Sequence, residues 1–528
     1  MTASFCDASA ANAESAPVEL DFARQMNCDF PPTELAKRKP WDEGAPRFGG
    51  ARAFGATPNR EFRHLVPLCG TRDGLVFSVA KGALPEGASL DARTGVLSGR
   101  CARAGRYDFT VCATNAEGRA ERDIVLLVGD DKRGQCPMMG WTSWNAHTYY
   151  VSQERVLRAA RAMVAKGLAA RGYEYVNIDS CWQGARDVYP DKSLAANARF
   201  PDMKGLVDEV HGLGLKAGIY SSPMTIAWGT TEKLTCRGST GDPVDEAFKC
   251  GFAGCGKTRY EPVDAARWAT WGFDFLKYDW PLCDMPHTEA MRTALDATDR
   301  DFVLLITTSG KFKHVNDYPK CAQMVRSGED TFGTWRSMLN LKMVADKWLP
   351  FVRPGFWYDL DMTAIGPMSM NDRSADPGDP PAKPAARLLS KFSRDEMISQ
   401  FALWAVLPSP LILSFEIDWA DEDLLDLVSN EDLIAINQDW PCRPSVVTDV
   451  DDDLRRYERL LSDGSKAILY INYGDEAKKV DEPLETAGCV RDVLAGRALG
   501  EKNALRFVLR PHATRVFRVG GPSIRKDR

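Results

Sequence analysis

Several features that would point this chain elsewhere are missing from it. There is no run of about 18 apolar residues able to cross a bilayer as a helix, and the start, MTASFCDASAANAESAPVEL, has neither a basic opening nor an apolar stretch of leader length. No basic block stands out: 67 Lys and Arg against 73 Asp and Glu leave a net charge of -6, so nothing would neutralise a row of phosphates, and neither nucleic acid nor a membrane is expected as a partner. Histidine is scarce, at six residues, with no H-E-x-x-H pair and no triad-like arrangement; no metal and no cofactor are expected.

What is present is the composition of a globular protein, 44% hydrophobic and 27% charged. At 528 residues the chain is too long for one core, and a barrel of about 250 residues or more fits inside it with domains to spare. The 14 cysteines are scattered without framework spacing, which leaves two compartments open: periplasmic or secreted if a leader has been trimmed, cytoplasmic otherwise.

Along the chain, residues 1–60 are polar and rich in Ala, Gly and Pro and read as an irregular lead-in. Over 61–130, short β-branched runs (LVFSV, GVLSG, RYDFTVCATN, RDIVLLV) separated by turns predict a small β-sandwich. From 133 to 440, eight apolar runs (MMGWTSW, YEYVNID, LKAGIYSS, FDFLKYD, DFVLLITT, CAQMVRS, PGFWYDL, PLILSF) alternate with amphipathic stretches such as SQERVLRAARAMVAKGLAAR. Eight βα repeats predict a closed parallel (β/α)8 TIM barrel rather than an open doubly wound sheet. Over 441–528 alternation returns (KAILYINYG, LRFVLRPHATRVFRV), predicting a C-terminal antiparallel β domain that caps one side of the barrel.

In barrel enzymes the reacting groups project from the C-terminal strand ends. Those positions carry Trp141 and Trp144, Asp179 and Ser180, Tyr220, Lys277 and Asp279, Arg326 and Asp330, and Asp359 with Asp361. Carboxylates with one Lys, one Arg and aromatic neighbours, without metal-ligand spacing, are the chemistry of glycosidic bond cleavage: one carboxylate attacks and another moves the proton.

The motifs MGWTSWNAH, GYEYVNIDSCW, GLKAGIYSS, FDFLKYDW, VRSGEDTFGTW, WYDLDM and SNEDLIAINQD resemble, in order, glycoside hydrolase family 27, the α-galactosidase and α-N-acetylgalactosaminidase family. The sandwich predicted over 61–130 resembles the immunoglobulin-like modules that precede some bacterial glycosidases. The resemblance implies that Asp279 is the nucleophile and Asp330 the general acid/base, that Lys277 and Arg326 contact sugar hydroxyls, that Asp179 binds the 4/6 edge of the sugar, and that Trp144 and Tyr220 wall and line the pocket. Asp361 joins them from the strand-end cluster. The implied activity is retaining exo-hydrolysis of terminal α-D-galactosides on oligosaccharides or glycoconjugates. Physically, Lys277 and Asp279 lie two apart on one strand and share a face, so the ammonium is expected to keep the attacking carboxylate ionised. Retention further expects the two carboxyl groups about 5–5.5 Å apart.

The pattern departs from the family where two adjacent Asp are usual and Asp179–Ser180 stand instead, and at Thr308, the nearest counterpart of the residue beside the sugar's 2-substituent. A neutral hydroxyl grips more weakly than a carboxylate. Related glycones therefore stay open, namely β-L-arabinopyranoside, α-N-acetylgalactosaminide or α-glucan, as does a non-catalytic carbohydrate-binding protein. Two further motifs are set aside. GFAGCGKT at 251–258 matches a phosphate-loop pattern without the preceding buried strand. Cys236, Cys250 and Cys255 have no histidine near them in sequence and read as a loop disulfide or free thiols. The thiol of Cys283, just past the nucleophile, is expected to be buried.

Overall fold

The structure, a computed structural model, describes residues 31–225, 227, 244–250, 253–307, 309–368 and 388–520. Among them, eight parallel strands form one sheet, and each grows from one of the eight apolar runs: β1 Met139–Thr142, β2 Tyr175–Asn177, β3 Lys216–Ser221, β4 Phe275–Asp279, β5 Val303–Thr307, β6 Met324–Arg326, β7 Trp357–Asp359 and β8 Leu411–Leu413. The order is sequential, with β8 beside β1. Thr363 N donates to Ile412 O at 2.8 Å and Leu360 N to Ser409 Oγ at 3.1 Å, drawing β7 and β8 together. This is the (β/α)8 architecture.

The crossover helices follow from local sequence. Gln153–Ala165 starts where Ser152 Oγ accepts from Arg155 N, and buries Val156, Leu157, Ala160 and Met163 at three- and four-residue spacing. Arg394–Val406 opens with a reciprocal Ser393/Glu396 capping box and is buried on nearly every side. The connection between β5 and β6 differs from the expected βα repeat. Among the described residues it holds only the 3-10 turns Phe312–His314 and Tyr318–Lys320, because it is short and carries Pro319, which cannot sit inside a continuing helix.

Before the barrel, besides the short antiparallel pair Arg47–Phe48 and Leu68–Cys69, lie two small sheets, one ordered Ala53–Ala56, Gly118–Val128, Gly105–Asn115, Val76–Lys81, the other Phe62–Leu65, Val96–Gly99, Ala88–Leu90. They enclose a core of Phe54, Phe77, Leu97, Phe109, Ile124 and Leu126. Ala53–Ala56 falls in the stretch read from sequence as irregular. It pairs in parallel with Gly118–Val128 and all four of its residues are buried, so no alternation marks it. After the barrel, six antiparallel strands form one sheet among the described residues. It meets the barrel helices where His512 stacks on Trp335, centroids 4.3 Å apart, and bonds Glu396 through Nδ1 at 2.6 Å.

Candidate active site

The strand period of two sets the barrel interior. On β4, Phe275 and Lys277 face inward and Asp279 continues that face at the strand end. Gly218, Asn177 and Phe275 lie side by side on neighbouring strands. Asn177 and Phe275, together with Thr142, Asp179, Lys277, Leu305, Arg326, Asp359, Asp361 and Ile412, line a small void of about 20 Å3. That space holds water, not a sugar ring. It is the floor of the site, and the ring must sit above it among the strand-end side chains.

Asp279 is buried, and its Oδ2 accepts a hydrogen bond from the Tyr220 hydroxyl at 2.9 Å. Asp179, buried at the end of β2, takes Lys277 Nζ on Oδ2 at 2.8 Å and the Ser180 amide on Oδ1 at 2.8 Å. Arg326 is clamped between Asp361 through Nη1 and Asp330 through Nη2. The rest of Asp361 is occupied too: Oδ2 accepts from Thr331 N at 2.6 Å and Oδ1 from Met362 N at 2.8 Å. Asp330 is 59% exposed at the rim, on the fourth residue after Arg326.

Charge decides protonation within the acidic pair on β7 and its following turn. Asp359 and Asp361 are both buried and repel one another. Asp361 has a guanidinium and two amides. For Asp359, whose Oδ1 accepts the Asp361 amide at 2.9 Å, burial and the Asp361 charge push the carboxyl up to about 7, so the shared proton belongs there. The guanidinium of Arg326, despite its burial, is held in its charged form chiefly by Asp361 and Asp330, with Asp279 adding to them. Both proposed catalytic carboxylates thus act on one cation. Backbone strain collects at the same end of the barrel: Cys181, Cys283 and Asp361 have φ of 80°, 42° and 88°, conformations an L side chain adopts only when its surroundings impose them.

The structure gathers Asp179, Ser180, Tyr220, Lys277, Asp279, Arg326, Asp330 and Asp361 at the strand ends. The Lys277 ammonium hydrogen-bonds Asp179 across the barrel, and the charges of Asp179 and Asp279 together hold it in its charged form despite burial, so its field reaches Asp279, to which the Tyr220 hydroxyl donates. Tyr220 was expected to line the pocket; that its hydroxyl donates to Asp279 is what sequence reasoning did not give. Trp144 begins the short helix Trp144–His147 and packs edge-on to Tyr149, centroids 6.1 Å apart. Trp141 is core, its indole bonded to Phe415 O at 2.9 Å, and His147 is buried against Glu416 with Nδ1 at 2.9 Å. Thr308, Cys236 and the side chain of Cys250 lie outside the described residues. Cys283 is buried, its thiol pushed up to about 12 by burial. Cys255 does meet a histidine, brought from a distant segment: Cys255, Asp284 and His287 hold donor atoms within 4.8 Å of one another. There Asp284 caps the helix Met285–Asp296 and bonds His287 Nδ1 at 2.8 Å and Trp280 Nε1 at 2.9 Å. The GFAGCGKT segment includes Ala253–Gly256, which is the second strand of an antiparallel hairpin, not the strand that opens a phosphate loop.

A parallel eight-stranded barrel with carboxylates, a lysine and an arginine converging on its C-terminal end, beside an aromatic wall, defines a glycoside hydrolase. Comparison with known proteins narrows this. Residues 136–439 match the family described as "Alpha galactosidase A", and residues 56–129 match a "Putative Ig domain". The chain belongs to the α-galactosidase family, glycoside hydrolase family 27. Alpha-galactosidase 2 of Arabidopsis thaliana is 28% identical over 396 residues, spanning 72% of this chain and 88% of its own. A solved structure from Bacteroides fragilis, described as a "putative alpha-galactosidase/melibiase", superposes with a TM-score of 0.78 at 28% identity, over 91% of this chain and 99% of that one. The β-L-arabinopyranosidase of Geobacillus stearothermophilus superposes with a TM-score of 0.63 at 25% identity, over 75% and 98%.

Proposed function

We propose that the chain is a retaining exo-glycosidase that releases terminal α-D-galactose by double displacement. Asp279 attacks the anomeric carbon while Asp330 protonates the departing oxygen; Asp330, deprotonated, then activates the water that opens the ester. The observation that carries this reading is the contrast between the two carboxylates. Asp279 is buried and fixed by Tyr220, as a nucleophile must be, while Asp330 stands at the exposed rim against Arg326, where a leaving group and water pass. Asp179 and Lys277 form an acceptor–donor pair suited to adjacent hydroxyls of the ring.

The glycone is the finer part of the proposal. Ser180 stands beside Asp179 at the edge of the site, and β-L-arabinopyranose is the galactose shape without its hydroxymethyl group, so this related sugar is the second reading. A panel of aryl α-galactoside, β-L-arabinopyranoside, α-N-acetylgalactosaminide and α-glucoside, followed by NMR for the first anomer released, tests glycone and stereochemistry together. The expected outcome is fastest turnover of the α-galactoside with the α-anomer released first, and loss of turnover by about a thousandfold or more in Asp279→Asn. With an activated aryl leaving group, Asp330→Asn should keep more of the first step than with a sugar leaving group. Release of the β-anomer first, or near wild-type turnover in Asp279→Asn, overturns the mechanism.

A further inference from the structure

Five arginines meet in one cavity at the opposite end of the barrel from the sugar site. Arg47, Arg52, Arg122, Arg171 and Arg518 line a space of about 330 Å3 where the N-terminal module, the residues leading into β2 and the C-terminal sheet come together. The size falls in the range of small-molecule sites. Gln438, also on its wall, bonds Pro137 O just before β1, which places the cavity at the N-terminal face of the barrel. Phe48, Ile434, Ile436 and Leu461 supply apolar walls.

Charge on this wall is unbalanced. The carboxylates are Glu431, Asp439 and Asp463, two fewer than the arginines. Asp463 pairs with Arg518, and Asp439 accepts from the Ser462 amide at 3.0 Å. The other four guanidiniums bond neutral oxygens. Arg122 donates to Gly49 O and Gly50 O, Arg171 to Gly167 O and Lys39 O, Arg52 to Trp440 O and Ser462 Oγ, and Arg47 to Glu43 O and Pro40 O. Among the described residues none of these four forms an ion pair with a carboxylate. Arg171 is 2% exposed and its Nε has no acceptor.

A buried guanidinium with only carbonyl partners is short of the counter-charge that usually accompanies it. Burial and the neighbouring Arg52 push the Arg122 guanidinium down to about 10, the direction expected where an anion is wanted. Planar forks are the side chains that grip oxyanions in pairs of hydrogen bonds.

We propose that this cavity binds a tetrahedral dianion, phosphate or its ester on a small organic body, and that the ligand ties the N-terminal module to the barrel and the C-terminal sheet. The excess of two positive charges matches a dianion, and the apolar walls match an organic body of sugar size. Such a ligand binds the folded junction and not the unfolded chain, so it raises the melting temperature by mass action and leaves turnover at the far end of the barrel unchanged.

The test uses the full chain, with isothermal calorimetry and thermal unfolding in inorganic phosphate, a hexose 6-phosphate, the neutral hexose, and sodium chloride at matched ionic strength. Expected are one saturable site per chain, a rising Tm with phosphate or the ester but with neither control, and affinity weakened about tenfold or more in Arg52→Gln and in Arg122→Gln. Arg52→Gln, at a partly exposed position, guards against loss of folding in the second variant. Saturation by inorganic phosphate alone assigns the site to the free ion; tighter binding of the ester assigns it to the organic phosphate; both support the proposal. No saturable binding beyond that of chloride, or equal affinity in Arg52→Gln and wild type, overturns it.

Discussion

Tyr220 is the smallest unit on which the proposed chemistry turns. Its hydroxyl is the donor to Asp279 Oδ2, and a hydrogen bond to a charged group contributes about 1.5–3 kcal/mol. In Tyr220→Phe, kcat/KM should fall by about tenfold or more. Because the ionised carboxylate loses a donor, the acid limb of the pH profile should also move to higher pH. An unshifted limb with only a lowered Tm would mark Tyr220 as packing. Asp359 supports a second prediction, on stability. Its carboxyl is pushed from 3.8 to about 7 by burial and by Asp361, so between those values the folded chain retains a proton that the unfolded chain has lost. Stability should therefore decline as pH rises from about 4 to about 7, by at most about 1.4 kcal/mol per pH unit from this group, and level off above. Asp359→Asn cannot ionise and should remove that slope. Denaturant unfolding of both forms across this range measures the difference, and parallel curves would show that the proton sits elsewhere.

At the scale of strands, the barrel interior is set by what fits between neighbours. A Cβ on Gly218 would lie 1.9 Å from Asn177 Oδ1 and 2.6 Å from Phe275 Cδ1, so Gly218→Ala must displace the Asn177 and Phe275 side chains from their places in the barrel interior. Overpacking of this kind destabilises by about 1–3 kcal/mol or more, and a lowered Tm with a weaker hold on Asp179, two residues beyond Asn177, is the expected result. An unchanged Tm would mean that the layer is slack. The strands themselves were readable in sequence because each is an apolar run bounded by polar residues, and the C-terminal end of a strand is where a barrel places its chemistry; Asp279 and Arg326 are the last residues of β4 and β6, while Tyr220, Lys277 and Asp179 lie within two residues of the ends of β3, β4 and β2. Partners were not readable. Period two puts Lys277 and Asp279 on one face, yet says nothing of Asp179, which lies two strands away and wins the ammonium. In the same way, Cys255 has no histidine near it along the chain, and meets His287 only because a hairpin folds against the helix after β4. Ala53–Ala56 escaped notice because a strand buried on both faces, four residues long, carries no alternation.

For the whole molecule, the question is how the N-terminal module is held to the barrel, and His64 gives a measurable answer. It lies on the strand Phe62–Leu65, stacks on Phe54 with centroids 4.8 Å apart, and reaches the N-terminal end of β3. Lys216 Nζ lies 2.9 Å from Nδ1, and Gly55 O lies 2.9 Å from Nε2. An ammonium can only donate, so Nδ1 is the acceptor and the ring is neutral with its proton on Nε2. Glu174 closes the joint from the barrel side, taking Lys216 Nζ on Oε1 at 2.9 Å and the Leu65 amide on Oε2 at 3.1 Å. Burial and the Lys216 charge hold the imidazole well below its usual value. As pH falls through about 6.5 the unfolded histidine takes up a proton that the folded one refuses. Stability is therefore full above that value and lost progressively below it. In His64→Gln the amide can still donate to Gly55 O and accept from Lys216, but it cannot titrate. The variant should keep the junction at neutral pH and lose stability less steeply than wild type between about pH 6.5 and 5, read as the Tm of the full chain. If acid lowers the Tm of both forms equally, the joint is not where the molecule responds to protons, and the acid limb has to be assigned to other groups.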